Sequence, residues 1–147
     1  MVKVAVAGGW DPIHIGHLRH FQKARKLGDY LIVFVSTDKD MIRKKGYCFM
    51  PLEDRMGILR EFRCVDEVIA TIDKDGTQAK TLRMVRPNIF AKGGDRTPDN
   101  MPANEIETCK EIGCEIVYGV GKQLNSSSKL VKKSVKKMLD VNKVNQE

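Results

Sequence analysis

Two histidines three residues apart, His14 and His17, stand with Gly16 between them in the segment Gly8-Gly9-Trp10-Asp11-Pro12-Ile13-His14-Ile15-Gly16-His17. An apolar run precedes this segment and a helical pattern follows it, so both imidazoles fall at a helix start. There the unpaired N–H groups and the helix dipole favour an anion. Gly8 and Gly9 permit a tight turn and a close backbone approach to a ligand. A phosphate chain suits this set. His20 extends the series to H-x-x-H-x-x-H, but no carboxylate or thiol has the spacing to complete a zinc site.

A second anion-binding set lies near the C-terminus. Asn125-Ser126-Ser127-Ser128-Lys129 opens the last helical pattern, with Ser126 as its N-cap and three hydroxyls at a helix start. Between the two sets, Lys92-Gly93-Gly94-Asp95 follows an apolar run. Its glycines let the backbone approach a sugar or base, and its carboxylate can accept hydrogen bonds from hydroxyls. A carboxylate facing a triphosphate would repel it, so Asp95 belongs on the nucleoside or acceptor side.

The elements that must hold these residues alternate between strand and helix. Strands are expected at 3–7, 30–36, 67–71, 89–92 and 115–118. Helices are expected at 15–27, 51–62, 77–85 and 104–112, with a last one from 126. The apolar strands read as buried on both faces. This order predicts an α/β, Rossmann-like three-layer fold: about five parallel strands joined by right-handed crossovers, with helices on both faces. Ligands of such sheets sit outside the carboxyl ends of the strands, where the strand order switches. Segments 8–17, 92–97 and 119–128 all follow strands and should gather there.

Residues 1–147 read as one domain, with a basic C-terminal helix from about 126. The formal charge of +7 is concentrated. Residues 122–147 hold seven lysines against Asp140 and Glu147, and so carry five of those positive charges. A nucleic-acid-binding surface needs basic residues interleaved with aromatics. Aromatics are 6% of the chain and that helix has none, which speaks against nucleic acid as a partner. No apolar run approaches the roughly 20 residues that span a bilayer. The N-terminus is too short and strand-like for a signal peptide, so no membrane partner and a cytoplasmic location are expected. Cys48, Cys64, Cys109 and Cys114 lack paired metal-ligand spacing and read as reduced thiols.

Taken together, Gly8-Gly9-Trp10-Asp11, His14 and Gly16-His17 resemble the G-x-F-D-x-x-H-x-G-H signature of the cytidylyltransferase-like nucleotidylyltransferases. The resemblance runs from Val4 to about Val131. Trp10 stands where that family has phenylalanine, as a larger aromatic in the same packing role. The resemblance implies a Rossmann-like fold and transfer of a nucleoside monophosphate from a nucleoside triphosphate to a phosphorylated small molecule, with release of pyrophosphate. It assigns rate-determining contacts to His14, His17, a lysine of the Lys44-Lys45-Gly46 stretch (Lys45 for catalysis, Lys44 as its neighbour) and Ser127. Nucleotide binding falls to Gly8, Gly9, Trp10, Asp11, Lys44, Arg55, Lys92, Gly93, Asp95, Asn125, Ser126 and Ser128. Magnesium would accompany the triphosphate, with no metal held by the protein itself, and relatives of this kind imply a homodimer. Within the family the chain is most similar to heptose-1-phosphate adenylyltransferases, then to glycerol-3-phosphate cytidylyltransferases. ATP is therefore expected ahead of CTP, and a sugar phosphate ahead of a polyol phosphate. A non-catalytic nucleotide sensor of the same fold is the alternative. It would have no need for His14, His17 and Ser126–Ser128.

Overall fold

The computed structural model describes residues 1–121 and 135–139. Five strands form one parallel sheet: β1 (Lys3–Gly8), β2 (Tyr30–Val35), β3 (Glu67–Ala70), β4 (Ile89–Ala91) and β5 (Glu115–Val117), in the order β3-β2-β1-β4-β5. β1 lies centrally, with Val4 opposite Leu31 on one side and Ala5 opposite Phe90 on the other. The order reverses between β1 and β4, so their carboxyl ends bound the crevice where this architecture places its ligand.

Alternation along the strands feeds two apolar layers. Val4, Val6, Leu31, Val33 and Val35 pack on one face with Phe21 and Ala24 of α1 (Ile15–Arg25) and Leu59 of α3 (Leu52–Arg60). Ala5, Ile32, Phe34 and Phe90 pack on the other with Leu82 of α4 (Ala79–Val85) and Cys109 of α5 (Ala103–Ile112). Helices cover both faces of the parallel sheet, the three-layer arrangement expected from the sequence.

One helix departs from expectation. Residues Asp38–Lys45 form α2, capped by Thr37 Oγ1 and ended by Gly46. Its only buried apolar side chain is Met41, so it has no apolar stripe to announce it. α4 starts two residues later than expected because its first turn is claimed by Asp73, whose carboxylate accepts from the N–H groups of Lys80 and Thr81. Among the described residues no helix is long and apolar enough to cross a membrane. Residues 135–139 are helical, within the basic helix expected from 126.

Candidate active site

A cleft of about 370 Å³ opens at the carboxyl ends of β1 and β4. Gly8, Gly9, Trp10, His14, His17 and His20 line one side and Lys92, Gly93, Gly94, Asp95 and Arg96 the other, with Lys45 and Gly121 at the margins.

The histidines are placed by the way α1 begins. His14 is the N-cap in extended conformation, and its Nδ1 accepts from Gly16 N–H at 3.0 Å. His17 Nδ1 accepts from His14 N–H at 3.2 Å, completing a capping box built from two imidazoles. A backbone N–H can only donate, so both Nδ1 atoms are unprotonated and both neutral rings carry their proton on Nε2. The rings stack at 3.7 Å between centroids. His14 Nε2 is buried without a partner among the described residues. Both residues line the cleft, and with each Nδ1 used by the cap the Nε2–H group is the donor each ring has left.

Burial lowers the pKa of both rings. For His17 it falls to about 3, first through burial and then through the nearby His14, His20 and Lys45. A group with a depressed folded pKa binds more protons when unfolded, and stability is lost as the solution turns acidic. The loss should begin below about pH 6.5, the ordinary histidine value, and grow until the pH reaches about 3. His17→Gln keeps a capping-box acceptor and removes this titration. Urea unfolding at pH 7 and pH 4.5 should show a smaller acid loss in the variant. An equal loss in both proteins would refute the linkage.

Trp10 sits at φ 52°, a left-handed backbone conformation uncommon for a bulky residue. It is held there by an indole N–H bond to Phe34 O at 2.9 Å and by edge contacts with Phe21 and His17. Its ring dictates glycine at position 8, where a Cβ would come within 2.9 Å of it. A Cβ on Gly9 would lie 2.5 Å from Met41 Sδ. Glycine is thus required here by protein neighbours as well as by any ligand.

Two expected ligand contacts are corrected. Asp11 is fully buried, and its carboxylate accepts from Phe49 and Met50 N–H at 2.7 and 2.6 Å. It ties the loop after α2 to the histidine-bearing turn and does not line the cleft. Arg55 is likewise fully buried. Its guanidinium donates to the carbonyls of Met50, Gly9 and Ser36 and to Asp38, leaving no mobile charge for a phosphate. Of the two lysines, Lys45 lines the cleft, whereas the Lys44 side chain runs towards Gly76. Asn125, Ser126, Ser127 and Ser128 lie outside the described residues.

Lys92 on the second wall and Glu105 are both buried, and each feels the charge of the other. Burial lowers the lysine pKa and raises that of the glutamate. Glu105 Oε2 accepts from Gln78 N–H while Oε1 is unpartnered among the described residues. Glu105 and His20 were not singled out as ligand contacts by spacing, whereas Arg96 belongs to the 92–97 segment expected at this edge. Of those two, His20 left a sequence trace, as the third member of a three-residue repeat.

The cytidylyltransferase-like family profile matches residues 5–137. Among curated proteins, the bifunctional protein HldE of Streptomyces coelicolor is 40% identical over 116 residues, a match covering 78% of this chain and 24% of HldE. The chain therefore spans about a quarter of the length of that relative. FAD synthase of Ferroglobus placidus is 33% identical over 138 residues, covering 92% of this chain and 89% of the synthase. Among solved structures, the lipopolysaccharide core biosynthesis protein of Thermoplasma volcanium superposes with a TM-score of 0.68 at 27% identity, covering 82% of this chain and 98% of that one. Fold, cleft and family profile agree, and the chain belongs to the cytidylyltransferase-like family of nucleotidylyltransferases.

Proposed function

We propose that the chain transfers AMP or CMP from a nucleoside triphosphate to a phosphorylated small molecule, with ATP ahead of CTP and a sugar or polyol phosphate as acceptor. The observation that carries this reading is the pair of neutral imidazoles lining the cleft, whose Nδ1 atoms are locked by backbone N–H groups so that each keeps an Nε2–H donor. An acceptor phosphate oxygen attacks the α-phosphorus in line, and the bond to the departing pyrophosphate breaks. The attacking oxygen is already ionised, so no general base is needed. What the protein must supply is alignment and donors for the charge that builds on the α-phosphate.

His14, His17 and Lys45 are the candidates for that task, with Ser127 as a fourth. Gly8, Gly9 and Trp10 shape the phosphate end, with Asn125, Ser126 and Ser128 proposed to complete it. Lys92, Gly93 and Asp95 form the nucleoside or acceptor wall. A relative named FAD synthase supports adenylyl transfer, since FAD contains an AMP unit. Among the described residues Asp95 is the one carboxylate on the cleft wall, and no group of three or more His, Cys, Asp or Glu could hold a metal. These residues suit a magnesium ion held mainly by triphosphate oxygens and water.

A pyrophosphate-release screen of ATP and CTP against sugar, polyol and vitamin phosphates tests the reading. Release that depends on both substrates is the expected result. Nucleotide binding with no release across the panel would favour a sensor instead. In the productive pair, Asp95→Asn should raise the Michaelis constant of nucleotide or acceptor several-fold with the melting temperature retained. A loss of stability with unchanged substrate constants would reduce Asp95 to a turn residue.

A further inference from the structure

His20 lies one helical turn beyond His17 and lines the same cleft, but its hydrogen bonding is reversed. Its Nδ1 lies 2.5 Å from the carbonyl oxygen of Val120. A carbonyl only accepts, so here the proton sits on Nδ1 and the lone pair on Nε2. The ring stays neutral because burial lowers its pKa. Nε2 has no hydrogen bond among the described residues, and His20 itself lines the cleft. Packing fixes the ring: Trp10 and Phe21 lie 6.2 and 6.0 Å away between centroids. The backbone of Gly121 closes over it so tightly that a Cβ there would sit 3.3 Å from His20 Cα.

The α1 wall therefore offers two donors at its start and one acceptor roughly 4.5 Å further along the helix axis, at 1.5 Å per residue. A triphosphate at neutral pH presents acceptors only, so a lone pair contributes nothing to holding it. The donors that a nucleotide carries one short step from its α-phosphate are the ribose hydroxyls. Asp95, the carboxylate on the cleft wall among the described residues, faces the same requirement.

We propose that His20 reads the sugar of the bound nucleotide: its Nε2 accepts a hydrogen bond from a ribose hydroxyl, making the site select ribonucleotides over deoxyribonucleotides. This rests on the nucleotidyl-transfer reading above and names a specificity residue for it.

The test is titration calorimetry of ATP, 2′-deoxy-ATP and 3′-deoxy-ATP (and the cytidine set) into the wild-type protein, His20→Phe and His20→Leu. Phenylalanine keeps a ring against Trp10 and Phe21 without an acceptor, and thermal melts establish folding. The wild-type protein should bind the ribonucleotide about tenfold tighter than one deoxy form, the size of one hydrogen bond to a well-fixed partner. In both variants that ratio should fall to about two or less, with affinity for the deoxy form unchanged. A merely structural His20 would weaken all three nucleotides alike and leave the ratio intact, which overturns the proposal, as does a wild-type protein that does not discriminate. Ribonucleotide binding with an unmoved ratio sinks this inference alone. Absence of binding by every nucleotide sinks the transfer reading with it.

Discussion

His14→Asn should lower turnover by a factor of about a hundred or more while leaving the fold and the affinity for nucleotide nearly intact. Asparagine is among the best N-cap residues, so the bond from Gly16 N–H survives the change. What disappears is the Nε2–H donor. Loss of one donor aimed at developing charge costs about 3 kcal/mol in the transition state. His14→Ala removes cap and donor together and should add about 1 kcal/mol of destabilisation. Comparing the two variants by kcat, nucleotide Kd and melting temperature separates chemistry from folding. A His14→Asn protein of normal turnover would refute the donor role. The rate should also show no ionisation of a general base near pH 6.5 from this pair, because protonating either Nδ1 breaks the cap that holds it.

Arg55→Met should destabilise the fold by about 3–5 kcal/mol, the range for removing one partner of a buried, hydrogen-bonded charge. The side chain is fully buried, and its guanidinium satisfies the Met50, Gly9 and Ser36 carbonyls as well as Asp38. Methionine fills much of the volume but leaves those oxygens without a donor. Arg83 provides the contrast: its pair with Glu111 is half exposed on both sides, and Arg83→Ala should move stability by no more than about 0.5 kcal/mol. Urea unfolding of the two variants checks both numbers. If Arg55→Met unfolds like the wild-type protein and changes only substrate constants, Arg55 is a ligand-binding residue after all.

The difference between Arg55 as expected and as found shows where sequence reading stops. The strands were legible because Val4–Val6 and Leu31–Val35 are continuous apolar runs, which a sheet covered on both faces demands. α1 and its histidines were legible because the signals are local: glycines, a cap position and an apolar face. α2 was not, although Thr37, two aspartates in its first turn and Gly46 mark its ends, because eight residues with one buried apolar side chain carry no periodicity. Asp11 and Arg55 failed for another reason. The partners of Asp11 lie 38 and 39 residues away, and Arg55 reaches Asp38, Ser36 and Gly9 at 17, 19 and 46 residues; a charged residue in a functional-looking segment gives no local sign that its charge is already matched. The choice between Lys44 and Lys45 is a matter of helix phase, fixed only once α2 is known to exist.

The two walls of the cleft draw their support from opposite sides of the sheet. The histidine wall rests on the layer of Phe21, Val4 and Val33. On the other wall, Lys92 feels the charge of Glu105 on α5, whose Cys109 belongs to the layer of Leu82 and Phe90. A sheet one strand thick insulates these layers, since side chains of successive residues leave on opposite faces. Changes accumulated in α4 and α5 can therefore reshape the wall facing nucleoside or acceptor without disturbing the geometry of the phosphate end. Divergence of substrate choice and preservation of chemistry become separable tasks, each confined to its own side of the domain.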